Sequence, residues 1–257
     1  MAVVLFANTK GGSGKTTAAL LFAGEMAAAN GKVVLFEGDP NRPLADWAEA
    51  RGVPVLYGDR AVRGPDEAAA AMAAATADGA RVIVVHDPDE TRTFHWLEAA
   101  SAWAHFVVGD PEGSPNEWLN AVASHADLVV IPFAPTALDT SQVFRTVEVL
   151  VRIGKLAKSQ VPFRVLLTKT AAGAVMTRDE REIRAELSGE GALPLVSTGL
   201  CDRPAFRALF KHQKTLRELT GDEVGEGGLQ AALQNSARFS QEILEAVRQH
   251  QSAERAA

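Results

Sequence analysis

This chain of 257 residues reads as an α/β protein built on a mostly parallel, twisted sheet flanked by helices on both faces. Three observations point there. Short β-branched runs recur along the chain, helix-forming stretches separate them, and the runs are apolar throughout instead of alternating with polar residues. Strands of that kind are buried on both faces, and parallel neighbours need a crossover that runs back over the sheet.

The elements follow in order. Residues 2–7 form a first strand that ends in a glycine loop. Residues 16–30, rich in Ala and Leu, form a helix that Gly31 is placed to stop. Residues 33–36 are the second strand, and Asp39-Pro40-Asn41-Arg42-Pro43 must be a loop. A short helix over 44–51 and a minor extended piece over 53–57 come next. Residues 66–77 are almost pure helix former, a spacer on the sheet surface. Strands at 82–85, 106–108 and 128–132 are separated by helices around 91–104 and 117–124. A helix over 140–156, a strand over 164–167, a helix over 180–187 and a last short strand at Leu195-Val196 follow. Helices over 204–219 and 228–249 close the chain. Residues 221–228 are the loosest segment, but one helix beyond them is too little for a domain, so 1–257 reads as a single domain.

Composition narrows the function. With 26 Lys+Arg against 32 Asp+Glu, the net charge is −6, so contact with DNA requires a local basic face. One cysteine, Cys201, excludes an internal disulfide framework and a four-thiolate metal site within one chain. No apolar stretch approaches the ~20 residues of a membrane-spanning helix. The first residues lack the basic start of a signal peptide, and the early apolar run breaks at Asn8-Thr9-Lys10. The expectation is a soluble, cytoplasmic protein. The six histidines show no metal-ligand spacing.

Between the first strand and the first helix stands Lys10-Gly11-Gly12-Ser13-Gly14-Lys15-Thr16-Thr17. Its glycines let the backbone wrap phosphate oxygens with N–H groups pointing inward at a helix N-terminus. Lys15 is placed to neutralise the β- and γ-phosphates, and the Thr16 hydroxyl to bind Mg²⁺. This is a P-loop in its required context.

Lysine ahead of Gly-Gly-x-Gly-Lys-Thr-Thr is the deviant Walker A, and the chain resembles the ParA/MinD family from the first strand to about Val247. The resemblance implies a P-loop ATPase that forms a nucleotide-sandwich homodimer, with Lys10 reaching the phosphates bound by the other subunit and stabilising charge there. Asp39, in Glu37-Gly38-Asp39-Pro40-Asn41, matches the family aspartate that places the attacking water; Glu37 and Asn41 depart from the usual Asp and Gln. Asp110 and Asp87 both end strands and both suit the second acidic residue of the metal site. Asp110 is preferred, because a helix and the strand ending Val130-Ile131-Pro132 come after it as in the family. Glu112 is not the family's usual residue and receives no role. Leu167-Thr168-Lys169-Thr170 ends the strand whose tip contacts the base in many relatives, which often have asparagine where Thr168 stands; ATP is the expected nucleotide.

Five basic residues without an intervening acid, Arg203, Arg207, Lys211, Lys214 and Arg217, suit non-specific DNA binding. The first four are spaced to share one helix face. In the last helix Glu242 and Glu245 offset Arg238 and Arg248, which favours packing on the sheet over the membrane-binding tail of MinD-like proteins. The middle and C-terminal parts resemble the ParA-like accessory proteins of T-DNA transfer and cargo-positioning ParA homologues, on residues 128–135 with Leu138-Asp139 and on 194–211. With its first strand at Ala2, the chain resembles a small ParA without an N-terminal helix-turn-helix region. The resemblance implies a nucleoid-associated ATPase that segregates or spaces a plasmid, chromosome region or protein cluster. A ParB-like or adaptor protein would stimulate its hydrolysis. Two alternatives are a nucleotide-gated recruitment module with little turnover and a MinD-like membrane cycler.

Overall fold

Consecutive strand residues bury into opposite cores. Val4, Phe6, Leu35, Val108 and Val130 lie in one; Val3, Leu5, Phe36, Val107 and Val129 lie in the other. That is the period of two of a sheet covered on both faces. The structure is a computed structural model and describes every residue except 59–61, 115, 174, 190–191 and 257. The strands are β1 (Ala2–Phe6), β2 (Val33–Glu37), β3 (Val55–Tyr57), β4 (Val82–His86), β5 (Phe106–Asp110), β6 (Leu128–Phe133), β7 (Phe163–Thr170) and β8 (Leu200–Cys201). They form one sheet in the order β3-β4-β2-β5-β1-β6-β7-β8, with every neighbouring pair parallel.

One face is covered by α1 (Lys15–Ala28), α2 (Pro43–Glu49), α8 (Pro204–Lys211) and α10 (Glu226–Ala256). The other carries α3 (Pro65–Thr76), α4 (Thr93–Ser101), α5 (Glu117–Ala123), α6 (Ala137–Ala157) and α7 (Arg178–Leu187). Because all strands point the same way, the loops after β1, β2, β5 and β7 gather along one edge of the sheet, where α/β proteins bind ligands. Among the described residues no helix is long and apolar enough to cross a membrane.

The structure corrects several expected boundaries. Asn30, not Gly31, takes the left-handed conformation after α1, at φ 65°. Leu195 makes a single bridge to Val165, and the last strand is β8, five residues later. α6 starts at Ala137, because the Thr136 side chain accepts the Asp139 amide at 3.1 Å and caps the helix there. Within 221–228 a short α9 (Gly221–Val224) forms behind a Thr220–Glu223 capping box.

The largest correction concerns the basic segment. The helix expected over 204–219 ends at Lys211. Gln213 turns left-handed at φ 45°, and Lys214 N donates back to the Leu209 carbonyl at 3.0 Å. The carbonyls of Gln213 and Lys214 are taken by Arg51 and Trp47, so the chain turns along α2. Lys214 then pairs with Glu223 at 2.7 Å, holding that carboxyl down at about 2. Arg217 pairs at 2.6 Å with Glu25 on α1, a buried carboxylate that also accepts from the Ser236 hydroxyl. Lys214 and Arg217 are therefore off the helix face.

Removing Arg217 leaves the buried Glu25 carboxylate with a neutral partner alone. Arg217→Ala should lower unfolding free energy by about 1–3 kcal/mol, measured by urea denaturation. Lys211→Ala, at an exposed position, should change it by less than ~0.5 kcal/mol.

Candidate functional site

The site is built from the end of β1 outward. Asn8, buried, donates from its amide to the Pro132 carbonyl at 2.7 Å and accepts the Lys10 amide at 3.0 Å. It thereby ties the start of the loop to the neighbouring β6. Gly12 and Gly14 adopt φ values of 73° and 96°, a region open to glycine and strained for other residues. The loop then delivers Lys15, itself buried, and Thr16 into the first turn of α1. No side chain caps this helix start, so the amides of the loop and first turn remain available for an anion.

Two side chains from the end of β7 hold the loop from the far side. The Thr168 hydroxyl donates to the Ser13 carbonyl and the Lys169 ammonium to the Gly12 carbonyl, both at 2.8 Å. They flank a cavity of about 540 Å³ that runs from Gly14 and Thr17 to the turn between β8 and α8.

Acidic groups face the loop from the other side. Glu37 and Asp110 are register partners at the ends of β2 and β5, and both are fully buried. Among the described residues, neither oxygen of Asp110 has a partner that meets hydrogen-bond geometry. Burial, with repulsion from Asp39, drives its pKa up to about 7; the nearby Thr16 hydroxyl and Lys15 ammonium limit the rise. Glu37 is raised further, to about 8, chiefly by burial, although it accepts the Leu44 and Ala45 amides at 2.6 and 3.0 Å. Asp39 is half-buried, and its Oδ1 accepts the backbone and side-chain N–H of Asn41, each at 2.9 Å.

Asp87, the other acid weighed from the sequence, is spent elsewhere. Its carboxylate takes the Arg92 guanidinium and the Trp96 indole N–H at 2.8 Å, and the Asp89 amide at 3.1 Å. It sits beyond β4, separated from β1 by β2 and β5. The Lys10 ammonium pairs with Asp139 at the start of α6, a contact no spacing rule anticipates. Arg203 and Arg207 line the 540 Å³ cavity, and Arg207 also pairs with Asp202.

A cation fits here. An orphaned, buried carboxyl beside a hydroxyl and a phosphate cradle is an incomplete ligand set of hard oxygen donors, the chemistry Mg²⁺ uses when phosphates and water supply the remainder. Among the described residues no three His, Cys, Asp or Glu side chains are grouped so as to hold a metal by themselves.

The VirC1 protein family model matches residues 1–55 and 93–248. The chain belongs to the VirC1 family. It is 26% identical to protein ParA of Rhizobium radiobacter over 243 residues, covering 95% of this chain and 96% of that protein. It is 24% identical to protein virC1 of Rhizobium rhizogenes over 209 residues, 81% and 80% of the two. Two structures of Cyanothece McdA, the apo form and a variant in complex with ATP, share the fold with TM-scores of 0.69 and 0.68. They are 16% and 15% identical, and each covers 95% of this VirC1-family chain and 99% and 96% of its own. The family relatives thus include ParA and virC1 proteins, and the fold is the one McdA adopts.

The Asp110 carboxyl binds its proton more tightly folded than unfolded. Its stabilising contribution is complete below about pH 4, its ordinary range, and is lost as pH rises through about 7. Without Mg²⁺ or nucleotide, Asp110→Asn should therefore be more stable than wild type at pH 8, by about 2–4 kcal/mol. Urea denaturation across pH should show the gap closing by pH 4–5.

Proposed function

We propose that this chain is a slow, partner-stimulated ATPase that forms an ATP sandwich homodimer, holds DNA non-specifically and releases it on hydrolysis, so moving or spacing a cargo. The observation that carries the reading is the buried, unpartnered Asp110 beside Thr16 and Lys15 under a glycine loop of free amides. The McdA–ATP complex of the same fold supports ATP as the nucleotide.

The residues divide the work by position. The amides of residues 11–17 surround the phosphates, and Lys15 neutralises their charge from within the fold. Mg²⁺, when bound, supplies further positive charge at the β- and γ-phosphates; Thr16 would hold it directly, and Asp39 and Asp110 through water. Asp39, on the loop after β2, orients the attacking water by accepting its hydrogen bond. Lys10 serves the phosphates of the other subunit, which requires that it exchange Asp139 for phosphate oxygen. Its cation there stabilises charge that develops as the γ-phosphoryl departs.

DNA contact falls to the part of the basic segment on or beside α8, where Arg207 and Lys211 are exposed and Arg203 is half-buried. Arg203, Arg207 and Lys211 are on or beside α8, and the dimer presents them twice; Lys214 and Arg217 are engaged by Glu223 and Glu25. Contacts to phosphate backbones of this kind carry no sequence preference and weaken steeply with salt. A ParB-like or adaptor protein would set the hydrolysis rate, and the bound form would be cytoplasmic and nucleoid-associated.

Lys15→Gln should lower ATP turnover at least 100-fold and abolish binding of a fluorescent ATP analogue; unchanged turnover would overturn the assignment. Asp39→Ala should bind ATP without releasing it as product, so that gel filtration with ATP, Mg²⁺ and plasmid DNA shows a persistent dimer on DNA. Replacing Arg203, Arg207 and Lys211 together by Ala should weaken DNA binding at least tenfold and flatten its salt dependence. Lys214→Ala should leave both near wild type.

A further inference from the structure

Thirty consecutive residues, 149–178, carry six Lys and Arg and no Asp or Glu, in a chain whose net charge is −6. The first three of these cations, Arg152, Lys155 and Lys158, stand at the end of α6, where the helix dipole favours positive charge. All three are exposed, and among the described residues their side chains have no hydrogen bond and no ion pair. Beside them a groove of about 620 Å³ opens between the end of α6 and the start of β7. Leu150, Val151, Val161 and Phe163 line it together with Lys155 and Lys158, and among the described residues no acid does.

The local backbone is shaped for this opening. Past the helix end the chain folds back, and Ser159 N donates to the Gly154 carbonyl at 3.0 Å. A Cβ on residue 154 would stand 2.6 Å from the Ser159 carbonyl oxygen, so only glycine admits the fold-back. Lys158 sits in the left-handed conformation, at φ 55°, where helices commonly place glycine. A glycine there would relieve the backbone and remove the ammonium.

Such a surface calls for apolar side chains flanked by negative charge. An acidic amphipathic segment supplies both, since its apolar residues can enter the groove while its carboxylates meet Lys155 and Lys158. A concave opening receives protruding side chains, which a flat lipid surface does not offer. Position adds a constraint. β7 begins here, so the groove opens at the edge of the sheet opposite the P-loop. With 21 residues, α6 puts about 30 Å between its two ends, and Asp139 is at the other one. An occupant is therefore out of reach of the phosphate cradle.

We propose that this groove docks an acidic amphipathic segment of a partner protein, its apolar side chains between α6 and β7 and its carboxylates on Lys155 and Lys158, whether or not nucleotide is bound.

The test uses the full chain and three fluorescein-labelled helical peptides of equal length, read by anisotropy. One has Leu at helical spacing with Glu elsewhere, the second replaces Glu by Lys, and the third replaces Leu by Ala. The Leu–Glu peptide should bind at least tenfold more tightly than either of the others, and ATP with Mg²⁺ should change its affinity less than threefold. Lys155→Ala with Lys158→Gly should weaken it at least tenfold at unchanged or higher thermal stability. Arg145→Ala, exposed on the same helix but not lining the groove, should change it less than twofold. Equal binding of the three peptides, an undiminished affinity in the double variant, or a tenfold dependence on ATP overturns the proposal. It is also overturned if gel filtration shows that the double variant alone loses a wild-type oligomer, which makes the occupant a second copy. Binding of wild type to phosphatidylglycerol vesicles that the double variant loses overturns it in favour of a membrane surface.

Discussion

A carboxyl group buried at the end of β5 with no hydrogen-bond partner among the described residues is the constraint around which the functional edge is arranged. Asp110 lies in a sheet covered on both faces, where an unpaired charge is costly. Its strand register places it opposite Glu37, so two acids share one dry corner and both bind protons more tightly than usual. The groups that relieve Asp110, Thr16 and Lys15, come from the P-loop on the other side of the same corner. A fold that meant only to be stable would place an amide or an apolar side chain there. In the function proposed above, a divalent cation and phosphate oxygens would offset that cost, which would couple ligand binding to stability.

The same economy of charge organises the C-terminal third. The chain is net acidic, and charge pairs tie this region down: Arg217 to Glu25, Lys214 to Glu223, and Glu218 to Arg51 from the N-terminal part. These pairs fasten the turn after α8 onto α1 and α2, the helices that come after the P-loop and the Asp39 loop. The segment that looks from its composition like a polyanion-binding helix is thus half clamp. Of its remaining cations, Arg203 and Arg207 at the start of α8 line the 540 Å³ cavity, and Lys211 ends the helix at an exposed position.

How far the chain was legible depends on the range of the forces involved. The strands over 33–36, 82–85 and 128–132 were readable because β-branched runs buried on both faces leave little else for them to do. The P-loop was readable because positive φ angles and amide cradles demand glycine at set positions. The end of α8 was not, since it is decided by Trp47 and Arg51, about 160 residues away, capturing two carbonyls. Leu195-Val196 has the composition of a strand but lies where β7 offers it a single bridge. In sequence, the choice between Asp110 and Asp87 turned on the helix and strand downstream of each acid. In space the distinction is sharper, because Arg92 and Trp96 saturate Asp87 and no described residue saturates Asp110. The Lys10–Asp139 pair joins residues 129 apart, beyond the reach of any local spacing rule.

Glu37 shows how a departure from a family pattern can be absorbed. A glutamate is one methylene longer than the usual aspartate, and here that length carries its carboxylate to the Leu44 and Ala45 amides at the start of α2. The loop between them is therefore held at both ends. On the inner side Gly38 packs under Trp118 so closely that a Cβ would stand 2.5 Å from the ring, and the Asp39 carbonyl lies 3.2 Å from His86 Nε2. With the backbone so fixed, the Asp39 carboxylate has its own side-chain torsions to turn by. In the water-orienting role proposed for Asp39, the bonds to give up would be the two from Asn41, which stands where the resemblance expects a glutamine. A loop clamped in this way favours a small, local rearrangement over a swing of the whole segment, because every larger motion would first have to strip Glu37 from a helix terminus in the protein interior.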